Sequence, residues 1–262
     1  MKYFKVYGKF IRMNALSGVQ YKGWWIMILQ VFIVVITDPI GLVLMSARFG
    51  NIGVWSIQSI ILIYAIAVTS FGLAEGLIRG FDYFPWHILR SGDFDRNLLR
   101  PTPLFIQIAG ARFHIHRLAR VASGTGAIVW ALWAMGIAMN PAKIIILVLA
   151  LLGGFLMYAG VFILSSGIAF FTIGALDWIY ILENASYQVT RCPVPYMPRA
   201  LKYTFTFLMP LLVISYYPAS YICGWGASVW ESLLAFPAGL LFSLLSMVVW
   251  RIGVRHYQST GS

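Results

Sequence analysis

The sequence predicts an all-α membrane protein with six transmembrane helices, an interfacial helix before the first, a short cytoplasmic helix between the second and third, and both termini cytoplasmic. Three observations lead there. The 262 residues are 60% hydrophobic and 10% charged, with a mean hydropathy of +0.82, which leaves too little polar side chain to cover a soluble protein. Six apolar runs approach or exceed the roughly 20 residues a helix needs to cross about 30 Å of hydrocarbon. Drawn as six crossings, the chain leaves 17 of its 19 Lys and Arg residues on one side, the cytoplasmic one by the positive-inside rule, with only Arg48 and Lys143 on the other.

The first 23 residues are basic and aromatic. Phe4, Tyr7 and Ile11 recur at helical spacing while Lys5, Lys9 and Arg12 share another face, as expected of an elbow helix lying in the headgroup plane; Gly8 and Gly18 weaken it, and a flexible basic tail is the alternative. No cleavable signal pattern precedes the first span, so the N-terminus is expected to be retained. The six runs cover about residues 24–45, 52–78, 121–139, 143–171, 203–223 and 229–250. They are continuously apolar rather than alternating in ten-residue pieces, which disfavours a β-barrel.

Within the first span, Asp38 stands 14 residues after Trp24, about 21 Å along a helix. A charge that deep costs about 2.5–3.5 kcal/mol unless shielded, and Pro39 loosens the backbone beside it. A structural bond to a neighbouring helix and a contact with substrate both remain open for it. The second span ends in GLAEGLIRG, where Gly72, Gly76 and Gly80 make a groove for a close neighbour. Glu75 sits in that groove, spaced to pair with Arg79.

The connection over 79–120 holds three of the eight acidic residues, Asp82, Asp93 and Asp95, in a chain otherwise built for lipid. Its centre, DFDRNLLR, reads as a short helix stopped by Pro101 and Pro103. Such a helix presents outward either Phe94, Leu98 and Arg100 or Asp95, Arg96 and Leu99. Further on, ARFHIHRLAR places His114 and His116 two apart, about 200° from each other on a helix, so they cannot share one metal. Arg112, His116 and Arg120 form a basic stripe expected to meet headgroups or a cytoplasmic partner.

The outer connections, around 46–51, 140–141 and 224–228, are too short for a capture domain. In the last of them Ser228 and Glu231 have capping-box spacing. The connection over 172–202 contains a second amphipathic stretch, with Trp178, Ile181, Leu182 and Ala185 on one face, before Pro193, Pro195 and Pro198. Cys192 and Cys223 fall on opposite sides of the membrane and are read as ordinary thiols. The 10 methionines are read as packing, and no repeat or soluble domain is visible.

Enzymatic constellations are missing. No lysine is followed by Ser or Thr, so a P-loop is impossible, and neither HExxH nor GxSxG occurs. The net charge of +11 is accounted for by orientation and by anionic headgroups, at about 1 kcal/mol per basic residue near the surface, without a nucleic-acid partner.

Three segments carry a likeness: GDFDRNLLRPTPLF at 92–105, YYPASYICG at 216–224 and RHYQSTGS at 255–262. In these, and in length and span number, the chain resembles the type 2 ABC export permeases, particularly the six-span subfamily long known as uncharacterised ABC transport permeases. The resemblance implies one transmembrane permease domain over 1–262, with an elbow segment at 1–23, a coupling loop at 79–120, a second cytoplasmic loop at 172–202 and a tail at 251–262. It implies that cytoplasmic ABC ATPase subunits carry the ATP and Mg, that this chain binds no cofactor or metal, and that it catalyses nothing.

By the same likeness, a coupling helix formed by Asp93, Phe94, Asp95, Arg96, Leu98, Leu99, Arg100 and Pro101 would face the ATPase. The 173–190 helix and the tail would add contacts. A second permease subunit, identical or different, would complete a path for a hydrophobic or amphipathic compound, touched by Asp38, Tyr64, Glu75, Tyr216 and Tyr217. The expected place is the cytoplasmic (inner) membrane, in contact with its lipids. Two other readings stand beside export: an ABC permease working in the import direction, and a self-sufficient secondary transporter or channel. The latter usually carries inverted repeats or several deep charges, and only Asp38 is clearly deep here. An intramembrane enzyme acting on lipids has no constellation to support it.

Overall fold

The computed structural model describes residues 2–20, 23–30, 32–33, 37, 40, 56–113, 117–172, 189, 194 and 197–258. Every regular element among them is helical. Asp38, His114, His116, Cys192 and, apart from Val189, the expected surface helix at 173–190 lie outside the described residues.

Helix α1 (Lys2–Gln20) turns Lys5, Lys9 and Arg12 to solvent and Tyr7, Phe10 and Ile11 inward. The Tyr7 hydroxyl donates to the carbonyl of Leu77, and the Asn14 amide donates to that of Gly110 at 2.8 Å. Burial pushes the Tyr7 phenol up from its ordinary range. The first bond ties α1 to the end of α2 (Ile57–Ile78) and the second to the chain at Gly110; α2 is the most enclosed of the described helices, with its side chains from Ile61 to Val68 all buried. Ser56 caps α2 by accepting from the Ser59 N–H.

Close packing follows the small residues. Helix α6 (Leu118–Ala134) runs antiparallel to α2, with Leu118 over Gly76, Val121 over Gly72 and Gly124 against Thr69. A helix can come this near only where no Cβ intervenes. Helix α7 (Pro141–Ala169) starts at Asn140, whose side chain accepts from the Lys143 N–H at 2.9 Å, and lies parallel to α2. Its other face meets α11 (Ala235–His256) in the most extensive helix pair of the fold.

The α7–α11 seam is built from small residues seven apart: Gly153, Gly160 and Gly167 on α7 against Gly239, Ser246 and Gly253 on α11. A seven-residue spacing keeps one seam facing its partner over the full length of both helices. A Cβ at Gly239 would strike the carbonyl of Gly153, which cannot swing aside as a side chain could. Gly239→Ala is therefore expected to cost about 1–3 kcal/mol of stability, read as an earlier unfolding transition of the detergent-solubilised chain. Full stability in that variant would disprove the close seam.

Among the described residues three helices are long and apolar enough to cross a membrane, Ile57–Ile78, Pro141–Ala169 and Val229–His256; a fourth is obtained if a bent pair, Arg199–Leu208 with Leu211–Cys223, counts as one. The third apolar run ends early. Gly136 adopts a φ of 63°, the Ile137 N–H reaches the Leu132 carbonyl, and the resulting Schellman turn closes α6 after 17 residues, about 25 Å of rise.

The fifth run departs from a straight helix over 203–223. Helix α8 (Arg199–Tyr203) continues through a π-helical turn, Thr204–Leu208, and then bends by 98° into α9 (Leu211–Cys223). Pro210 is the cause: it has no N–H to give and forces its predecessor out of the helical region, and Met209 is extended at φ −132°, ψ 94°. Between α9 and α11 lies α10 (Val229–Leu233), opened by the reciprocal Ser228–Glu231 capping box that the spacing predicts.

Candidate functional site

The antiparallel and parallel directions above gather the C-terminal ends of α2, α7 and α11 at one end of the bundle, together with the start of α6. The chain between α2 and α6 folds over that end. It begins with α3 (Gly80–Phe84), a π-helical turn at Pro85–Leu89, and a tight turn made possible by Gly92 at φ 78°. Gly80 itself leaves no room for a Cβ, because the carbonyl of Ile108 occupies the space.

Next comes α4 (Phe94–Leu98), a single helical turn. Its side chains divide cleanly. Phe94 is fully buried, whereas Leu98 is 50% and Leu99 85% exposed, with Arg96 and Arg100 also outside. Of the two faces the spacing allowed, neither is presented whole: Phe94 turns inward and its neighbours turn out. An exposed Arg96–Asp93 pair at 3.4 Å is the kind that contributes little stability.

The Phe94 ring drops into an aromatic socket. It meets Phe84 at 5.3 Å, Phe170 at 5.3 Å and Tyr257 at 4.7 Å between centroids, each nearly edge-on. Behind these, Trp250 touches Phe81, Phe84 and Phe170 at 5.0–5.3 Å. Edge-to-face pairs of this kind add about 0.5–1.5 kcal/mol each beyond their area. The socket therefore joins α4 to α3, to the end of α7 and to the end of α11. The Tyr257 hydroxyl also donates to Asp95; burial first, and then this carboxylate, hold the phenol above its ordinary range.

The turn after α4 is pinned from beneath. Gln107, on α5 (Leu104–Ala109), is buried and donates both amide hydrogens, to the carbonyls of Asn97 at 3.1 Å and Thr102 at 2.8 Å. Those bonds close the LRPT turn and fix where Leu98, Leu99, Arg100 and Pro101 stand.

A second cluster lies at the α2–α6 junction. Glu75 is 2% exposed and pairs with Arg79, as its spacing predicts, but also with Arg117 and, at 2.8 Å, with Arg120. Arg120 lies over the Phe71 ring at 5.1 Å. The expectation that Arg120 meets headgroups or a partner is corrected here: the glycine stripe of α2 draws the start of α6 so close that Arg120 turns inward to the carboxylate.

Among the residues proposed along a substrate path, Tyr64 is buried in α2. Tyr216 and Tyr217 stack edge-on at 5.4 Å in α9. Glu75 stands apart from Tyr64 by about 16 Å of helix rise, held by its arginines.

Sequence reasoning missed Gln107, Arg117 and the socket. The socket had a visible signal, four aromatic residues within FDYFPW at 81–86 and the isolated Trp250 and Tyr257. Gln107 had none, because its value lies in two carbonyls that the turn brings over it.

A family model described as ABC-2 family transporter protein matches residues 32–261 of the chain. No curated protein and no solved structure matches it.

Proposed function

The chain belongs to the ABC-2 family of transporter proteins, multi-pass membrane subunits that are not themselves catalytic and that associate with an ABC ATPase, and from that premise we propose that it is the permease half of an ATP-driven exporter. The proposed topology has six spans with both termini cytoplasmic, α1 as the elbow and α4 as the coupling helix. ATP and Mg belong to the ATPase subunits, and a second permease, identical or different, completes the path for a hydrophobic or amphipathic compound across the inner membrane.

The observation that carries this reading is the two-sided build of α4. A surface meant to receive force needs exposed side chains for the motor and a rigid connection to the spans. Leu98, Leu99, Arg96 and Arg100 supply the first, and Phe94 in its socket supplies the second. Leu98 and Leu99 exposed beside Arg96 and Arg100 offer a docked partner a small apolar contact with a charged rim.

The test is co-purification with a candidate ABC ATPase co-expressed with this chain, paired with transport in proteoliposomes. Leu99→Asp together with Arg100→Glu is expected to weaken ATPase association at least tenfold, about 1.4 kcal/mol or more, while the permease itself stays folded. Undiminished association and transport in that variant would sink the assignment of α4.

A further inference from the structure

Beside the Glu75 cluster a cavity of about 330 Å³ opens at the end of α2. Arg79, Arg112 and Arg117 line it together with His87; Tyr83 and Trp86 form its aromatic wall, and Asp82 is its single carboxylate. The volume lies at the low end of the range of about 300–1,000 Å³ typical of ligand sites.

The charges around it do not cancel. Glu75 is shared among Arg79, Arg117 and Arg120, and Asp82 engages Arg79 at 3.2 Å. Arg112 pairs with no carboxylate among the described residues. Its guanidinium instead rests 4.0 Å over the Tyr83 ring and donates to the Tyr83 hydroxyl, and His87 stacks on the same ring at 3.5 Å. Held in that way, a planar guanidinium is oriented before any ligand arrives, and its fork of donors matches two oxygens of a phosphate.

Depth narrows the source of such a group. The apolar stretch of α2 ends at Ile78, so Arg79 and the cavity stand at the level where hydrocarbon gives way to headgroups. Trp86, 45% exposed, has Arg90 over its ring at 5.9 Å, a pairing suited to that interface. Burial pushes the Asp82 carboxyl up against the opposing pull of Arg79.

We propose that this cavity binds a phosphate group through Arg112, Arg79 and Arg117, presented by the headgroup of an anionic phospholipid or by a soluble phosphate. The inference goes beyond ATPase coupling and stands whether or not α4 docks a motor.

The test uses the full chain purified in detergent, with phosphatidylglycerol, phosphatidylcholine and inorganic phosphate as probes and native mass spectrometry as the readout. Phosphatidylglycerol is expected to be retained over phosphatidylcholine, and Arg112→Gln is expected to weaken retention on the order of tenfold, the loss of one charge-assisted pair. If about 10 mM phosphate displaces the lipid, a soluble phosphate shares the site; if it does not, the headgroup is the ligand. His87→Gln, at an exposed position, serves as a second variant should Arg112→Gln not fold, and should weaken retention in the same direction. Equal retention of both lipids by the wild type, or binding untouched by a folded variant, overturns the proposal.

Discussion

Replacing Glu75 with Ala is expected to destabilise the chain by about 3–5 kcal/mol, the usual cost of breaking a buried ion pair by removing one partner. The carboxylate is almost fully enclosed and three guanidinium groups converge on it. Its removal leaves Arg79, Arg117 and Arg120 facing one another, and each pair then repels where it was bridged. Because these arginines are each about a fifth exposed, water recovers part of the loss and the lower end of the range is the better expectation.

The location of the damage is as informative as its size. Glu75 belongs to α2, whereas Arg117 and Arg120 stand at the entry to α6, so the carboxylate bolts the two helices together at the loop end. Glu75→Gln keeps the shape and discards the charge, and should recover little. Measured by thermal unfolding in detergent, a Gln variant within about 0.5 kcal/mol of wild type would show that the cluster is surface decoration. In a double-mutant cycle, Glu75→Gln with Arg120→Gln should cost less than the sum of the two single changes.

This cluster marks the limit of what periodicity can reveal. The pairing of Glu75 with Arg79 was legible because helix geometry alone brings residues four apart together. The pairing with Arg117 and Arg120 was not, because it depends on how closely α6 approaches, and that distance is set by Gly72, Gly76 and Gly124 acting together. The apolar runs at 52–78 and 143–171 correspond to α2, which starts at Ile57 and ends on the expected residue, and to α7, displaced by two residues at each end, since length and composition suffice for a long straight helix. The break at Met209–Pro210 had its signal in the proline, but hydropathy averages across such a break and reports one run. The same reasoning explains α4: its prolines announced a short helix, while only the socket determines that Phe94 points inward.

Phe94→Ala is expected to separate holding a motor from answering it. The ring is fully buried, and truncating such a side chain costs about 3–5 kcal/mol through lost transfer energy and the cavity left behind. Here the cavity opens between α4 on one side and Phe84, Phe170 and Tyr257 on the other, which represent α3, α7 and the end of α11. The exposed residues Arg96, Leu98, Leu99 and Arg100 are untouched by the change, and the Gln107 bonds still close the turn beneath them. Under the proposed coupling role, ATPase association should persist while transport per ATP hydrolysed falls steeply, because a push on α4 is no longer passed to the spans. Phe94→Leu, which refills much of the volume, should restore a good part of both stability and transport. Tyr257→Phe, which keeps the ring and removes only the bond to Asp95, should cost about 0.5–1.5 kcal/mol and leave coupling largely intact. Transport that stays tightly coupled in a folded Phe94→Ala variant would show that force enters the membrane domain by some route other than this socket.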